Sequence, residues 1–514
     1  MRASGILLPI FSLPSPYGYG DMGEEAYRFI DKLAEAGQKY WQVLPIGPVN
    51  EEFCPYQSSS SFAGEPLLLS LQRLEEKGLL NADDLQAAAS IENKKKILRI
   101  AFHNFCRKLQ GDEQAPFHYR AFCRMEERWL DDYALFSALT DYYGDGDWST
   151  WDGDIRSRTP DAIARWSVKL SYEVEFYRWM QYEFFSQWDE LRKYAHEKGI
   201  ELIGDIPYYA AHDSADCWAN PKLFRLDEGY QELFYAGAPP DAFTAEGQCW
   251  GNPVYDWQVH KEQGYRWCID RIGQQLRFFD VVRIDHMKGF ESYYVVPADT
   301  EDPKEGHWEK GPNMELFSEL QKQRKGCRFI AEDLGYLTQE VRDMMKEVGY
   351  PGMKVLQFAF DTGEENLYLP FNYDSDNYVV YTGTHDNDTT LGWYEKAEDW
   401  KQKFVSWYLR EKSDITPERK EELFGTAADG DVNGTAADAI LDPCEAVTGL
   451  VELAHSSRCD TCIIPMQDYL LKGSEARVNV PGTPKGNWRW QMESGAFTSE
   501  LAAAIRQMTQ RYGR

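Results

Sequence analysis

Phe278-Phe-Asp-Val-Val-Arg-Ile-Asp285 is a short apolar run that closes on a carboxylate. Ile200-Glu-Leu-Ile-Gly-Asp-Ile-Pro207 and Cys327-Arg-Phe-Ile-Ala-Glu332 have the same design. These runs are nearly continuous in apolar character rather than alternating, the pattern of strands buried on both faces of a parallel sheet. Working outward, similar runs recur at Tyr40–Ile46, Leu67–Leu71, Met353–Phe360, Asn377–Thr382 and Thr461–Gln467, with helical segments between them. Eight such strands predict a (β/α)8 TIM barrel, one catalytic domain over residues 1–514.

The helix over Glu24–Ala36 follows from Ala26, Phe29, Ile30, Leu33 and Ala34 falling on one face, with Gly37 as its C-terminal cap. Asn81–Leu109 and Ser171–Lys198 also read as helices. They lie between the second and third expected strands, where about 130 residues replace the usual single crossover. This stretch, about 72–198, is expected to be a helical insertion subdomain, and about 236–258 an active-site loop inserted at the rim.

Hydrophobic residues make up 43% and charged residues 27%, so a large buried core is available. No apolar run is long enough to span a membrane. Met1 to Pro16 carries one Arg and an apolar stretch broken by Pro9, which is not a secretory pattern. Fifty-five Lys and Arg against 84 Asp and Glu give a net charge of −29. Such a surface repels phosphate backbones and anionic lipid, so neither nucleic acid nor a membrane is an expected partner, and the ligand is neutral or cationic. Ten scattered Cys without a secretory signal point to a reducing cytoplasm.

Three motifs suggest other chemistry and lack its context. Gly18-Tyr-Gly20-Asp-Met-Gly23 matches a dinucleotide fingerprint, but Pro14 and Pro16 precede it instead of a strand. Cys459-Asp-Thr-Cys462 has no second cysteine pair or nearby His pair. No two of the nine His stand two, three or four positions apart, so no metal site is expected.

The carboxylates remain. Asp205, Asp285 and Glu332 close expected strands, and Asp386 follows another. Any one alone reads as a helix cap or an ion-pair partner. All four at the rim from which a barrel presents its catalytic groups call for a chemical reason. Two facing carboxyls are what cleavage of a glycosidic bond requires, one to attack the anomeric carbon and one to protonate the leaving oxygen. The chain also holds 17 Trp, 31 Tyr and 26 Phe. Most are core, but Tyr56, Tyr208, Trp218, Trp250 and Trp257 fall near the expected rim, where ring faces pack on sugars.

At the level of motifs the chain resembles glycoside hydrolase family 77, the 4-α-glucanotransferases (amylomaltase or disproportionating enzyme) of the α-amylase clan. The match runs nearly end to end, from Ser12-Leu-Pro-Ser-Pro-Tyr-Gly-Tyr-Gly20 through Pro55-Tyr-Gln-Ser58, Gly204-Asp-Ile-Pro207 and Ala211-His-Asp-Ser-Ala-Asp216. It continues through Pro239-Pro-Asp-Ala-Phe243, Trp250-Gly-Asn-Pro253, Arg283-Ile-Asp-His286, Ala331-Glu-Asp-Leu-Gly335, Gly383-Thr-His-Asp-Asn387 and Arg477-Val-Asn-Val-Pro-Gly-Thr483. Cys54, Cys249 and Met287-Lys288 depart from the family pattern.

The resemblance implies Asp285 as nucleophile, Glu332 as general acid/base and Asp386 as transition-state stabiliser. It implies Tyr56, Asp205, Gln248, Trp250, Arg283, His385 and Asn479 as substrate-binding residues, with Arg283 keeping Asp285 ionised. The implied reaction moves an α-1,4-glucan segment from a maltooligosaccharide or amylose to the 4-hydroxyl of a second glucan or glucose, through a covalent glycosyl-enzyme and without a cofactor. A retaining mechanism expects the Asp285 and Glu332 carboxyls roughly 5–5.5 Å apart. A retaining α-glucan hydrolase and a catalytically silent glucan-binding protein are the alternative readings.

Overall fold

The computed structural model describes residues 2–109, 115–240, 245–335, 337–425 and 439–514. Eight parallel strands form the central sheet: β1 (Ala3–Leu7), β2 (Tyr40–Gln42), β3 (Glu201–Ile206), β6 (Val281–Ile284), β9 (Arg328–Ala331), β10 (Gly352–Val355), β11 (Tyr378–Tyr381) and β12 (Thr461–Pro465). Their order, β10-β11-β12-β1-β2-β3-β6-β9, leaves β9 and β10 at the two ends. Ala331 N–H donates to the Pro351 carbonyl at 2.9 Å, which brings those ends together. The sheet is thus a nearly closed barrel wrapped by helices. Four further strands, β4 (Phe234–Ala238), β5 (Gln248–Pro253), β7 (Ser292–Pro297) and β8 (His307–Lys310), make a separate antiparallel sheet ordered β5-β4-β7-β8.

Two expectations about strands require correction. Leu67–Leu71 is not a strand: Pro66–Leu68 is a 3-10 turn and Leu71–Glu76 a helix. Pro66 removes a backbone donor, and the Glu65 side chain accepts from Leu67 N–H, so local hydrogen bonds replace a ladder. The missing strand is β1, whose Ala3-Ser4-Gly5 start has little of the β-branched character that marks strands. Packing demands the small residue. A Cβ on Gly5 would lie 2.5 Å from Tyr40 Cβ and 2.6 Å from the Tyr40 carbonyl oxygen. The expected run Met353–Phe360 likewise divides into β10 and a 3-10 segment, Leu356–Phe360.

Helix Glu24–Glu35 buries Ala26, Phe29, Ile30 and Leu33 against the barrel, and side chains such as Phe29 each contribute about 1.5–3 kcal/mol by leaving water. Gly37 follows with a φ of 68°, the left-handed conformation that ends such a helix. Between β2 and β3 the chain forms several helices, among them Ile91–Leu109, Glu127–Tyr143 and Ser171–Glu197. The last is tied to the barrel by its polar as well as its apolar side. Gln181 exchanges hydrogen bonds with the Gly64 backbone, Gln187 with that of Ser70, and Trp188 donates to the Phe278 carbonyl. The bonds to Gly64 and Ser70 hold the segment after β2 whose earlier part carries Tyr56.

Candidate active site

Register places the first two charged residues. Asp205 on β3 pairs with Arg283 on β6, so both side chains leave the sheet on the same side. Arg283 Nη1 lies 2.8 and 2.7 Å from the two Asp205 oxygens and 3.1 Å from Asp285 Oδ1. Tyr56 completes the cluster, its hydroxyl donating to Asp205 Oδ2 at 2.7 Å. The Asp205 side chain is 0% exposed and that of Asp285 27%, so of two carboxylates sharing one guanidinium only Asp285 faces the cleft.

Burial opposes the charge on Arg283, but Asp205 and then Asp285 raise its pKa well above the ordinary value. Burial also pushes the Tyr56 phenol well up, with Asp205 adding to it, so Tyr56 remains a hydrogen-bond donor.

Glu332 follows β9. Its Oε2 accepts from the His286 amide at 2.9 Å and its Oε1 from the Leu334 amide at 2.8 Å. Burial of the carboxyl raises its pKa to about 7, against a lowering by Arg283, and the charge of Asp285 adds to the rise. His286 reaches Glu332 because its backbone is left-handed, φ 46° and ψ 49°. Its ring meets Trp250 edge-on at 5.3 Å and Tyr208 at 5.7 Å, and burial lowers its pKa to about 4, leaving a neutral imidazole.

Asp386 lies beyond β11. Its Oδ1 accepts from Asn479 Nδ2 at 2.6 Å and stands 3.4 Å from His385 Nε2. Arg477 donates to the Asp386 carbonyl and the Asn479 carbonyl, and Asn479 N–H to that of His385. The His385 ring stacks on Tyr56 at 5.3 Å and 14°, joining this group to the Arg283 cluster.

Gln248 and Trp250 lie on β5, where Gln248 Oε1 accepts from Trp250 Nε1 at 3.0 Å. Gln57, next to Tyr56, donates to the Trp250 carbonyl and to Asn252 Oδ1, fastening β5 to the Tyr56 loop. The structure therefore brings all ten sequence-derived residues to one end of the barrel. Asp241, Ala242 and Phe243, part of the Pro239–Phe243 motif, lie outside the described residues.

Sequence reasoning missed the supporting residues. His286 and Arg477 stood inside quoted motifs with no role, because a backbone amide aimed at a carboxyl leaves no compositional signal. Gln57, inside Pro55–Ser58, could have been singled out only as an amide beside a candidate aromatic.

A carboxylate against an arginine, a second carboxyl raised to about 7 and a third acid beside a histidine can activate and stabilise a glycosyl centre. A family model described as 4-alpha-glucanotransferase matches residues 8–498. The chain belongs to glycoside hydrolase family 77. It is similar to the 4-alpha-glucanotransferase of Clostridium butyricum, 41% identical over 98% of this chain and 99% of that one. To the family 77 protein of Thermus thermophilus, also a 4-alpha-glucanotransferase, it is 41% identical over 99% and 98%. The amylomaltase of Streptococcus agalactiae in complex with acarbose superposes with a TM-score of 0.90 at 34% identity, covering both chains completely.

Proposed function

We propose that this family 77 chain transfers α-1,4-glucan segments from a donor maltooligosaccharide or amylose to the 4-hydroxyl of an acceptor glucan or glucose. The ionised Asp285 attacks the anomeric carbon as the bond to the leaving sugar breaks, and the Glu332 proton passes to the departing oxygen. A covalent glycosyl-enzyme results. Glu332, now a carboxylate, takes the proton of the acceptor hydroxyl, whose oxygen attacks the same carbon and releases Asp285. Two inversions retain the configuration. Asp386 stabilises the positive charge that develops at the sugar, with His385 and Asn479 orienting it. Tyr56 and Arg283 shape the donor side with Asp205 behind them, and Gln248 and Trp250 shape the acceptor side.

One observation carries this reading: the amide of His286, next to an Asp285 paired with Arg283, holds the carboxyl of Glu332, whose pKa burial raises to about 7. A group that must give a proton in one half-reaction and take one in the next works best near the ambient pH. The steps call on no cofactor or metal. We place the work in the cytoplasm, on maltodextrin or starch-derived glucans, with no nucleic-acid or membrane partner. Among the described residues no helix is long and apolar enough to cross a membrane.

Incubation with maltotriose tests the reading. A ladder of longer oligosaccharides plus glucose is expected. Glucose and maltose alone indicate a hydrolase, and unchanged substrate a binding protein.

A further inference from the structure

Asp468 is 2% exposed and follows β12, outside the groups that the proposed reaction uses. Its Oδ2 accepts from Thr382 Oγ1 at 2.5 Å and from Thr390 Oγ1 at 2.7 Å, and its Oδ1 from the Thr390 amide at 2.8 Å. Thr382 and Thr390, 0% and 1% exposed, stand immediately before and after the segment Gly383–Thr389 that carries His385 and Asp386. One buried carboxylate thus ties together both ends of the loop that presents Asp386. Gln357 reinforces the junction, donating to the Asp388 carbonyl at 2.9 Å and to Thr390 Oγ1 at 3.4 Å. That bond leaves the Thr390 hydroxyl proton for Asp468.

The chemistry at Asp468 is costly for a merely structural bond. Among the described residues no cation pairs with it, and its donors are two hydroxyls and one amide. Burial pushes its pKa up, and the charge of nearby Asp388 adds to the rise. A carboxylate accepts all three bonds at once, which an Asn amide in the same place cannot do. The segment after β12 also holds the loop at its middle, where Arg477 and Asn479 bind the backbone and side chain of Asp386. Within the loop, Asn387 Oδ1 accepts from both Thr384 N–H and Thr384 Oγ1.

We propose that Asp468 is a positioning residue for Asp386, setting the height and angle at which the loop offers that carboxylate to the sugar. The proposal rests on the reading of Asp386 given above. It acts on the transition state, because a carboxylate displaced by a fraction of an ångström still admits substrate but stabilises developing charge poorly.

The test is a double-mutant cycle with maltotriose transfer as readout. Asp468→Asn should lower kcat by about 10- to 100-fold with the donor KM within about 2-fold of the parent. Adding Asp468→Asn to Asp386→Asn should cost less than about 2-fold more, since one acts through the other. Thr390→Val should reproduce the kcat loss and Thr390→Ser should restore most of it, which keeps the proposal testable if D468N folds poorly. A D468N enzyme with parental kcat, a KM that moves as far as kcat, or independent losses in the double variant would each overturn it. Full activity of D386N overturns the role of Asp386 itself, and this proposal with it.

Discussion

The backbone amide of His286, the residue after Asp285, donates to Oε2 of Glu332 at 2.9 Å. The nucleophile candidate and the acid/base candidate are therefore joined through one peptide unit, not merely placed on the same rim. A left-handed non-glycine residue makes this possible, and its ring is braced by Tyr208 and Trp250. Such strain persists where surrounding packing holds it.

Glu332 should impose the alkaline limb of the reaction. Its pKa of about 7 means that proton donation to the leaving sugar weakens as pH rises through that value. Glu332→Gln should lower transfer from maltotriose by at least about 100-fold, and far less for a donor whose leaving group needs no proton. Stability follows the same proton. A pKa raised from 4.5 gives a contribution fully present below 4.5 and lost as pH rises through about 7. Melting curves should accordingly shift in favour of E332Q between pH 5 and pH 8. A parallel shift at both pH values counts against the raised pKa.

Arg283→Lys should damage both fold and turnover. A lysine supplies one ammonium where the guanidinium serves Asp205 and Asp285, leaving a 0%-exposed carboxylate poorly paired. Breaking a buried pair typically costs about 3–5 kcal/mol, so urea denaturation should show a loss in that range. Activity should fall more than donor binding, measured as kcat against KM.

Removal of divalent ions should leave transfer intact. Among the described residues one group, Asp147, His212 and Asp213, has ligand atoms dense enough for an ion. Both His212 ring nitrogens are engaged there, Nδ1 with Asp213 and Nε2 with the Tyr230 carbonyl, each at 3.0 Å. Burial opposes the charge, but the Asp213 hydrogen bond and Glu232 raise its pKa to about 9, so it stands as a cation. Dialysis against EDTA followed by the maltotriose assay checks this; loss restored by added metal would refute it.

Trp250→Ala should raise the ratio of free glucose release to oligosaccharide transfer while lowering total turnover. The ring packs on His286 and Tyr209, and on the proposed reading its removal would open the acceptor side to water. Measuring both products beside a melting curve separates this from simple loosening of β5. An unchanged product ratio at reduced stability would leave Trp250 a structural brace.

Much of the barrel was legible because strands buried on both faces are nearly continuous in apolar character and acids stand at or near their ends. Val281–Ile284 ending before Asp285 and Arg328–Ala331 ending before Glu332 needed no partner to be recognised. The motif order from Arg283-Ile-Asp-His286 to Gly383-Thr-His-Asp-Asn387 likewise lies within local sequence and was enough to point to family 77. Tertiary structure decided the rest. It chose Ala3–Leu7 over Leu67–Leu71 as a strand, because Gly5 fits against Tyr40 while Pro66 and Glu65 close a local turn. It also placed Asp205 behind Arg283 and Asp285 in front, and brought Asp468 to both ends of the Asp386 loop. Apolar pattern and turn residues act over a few positions. The hydrogen bonds that decide what a carboxylate does join residues far apart in the chain, and exist only once the strands have found their neighbours.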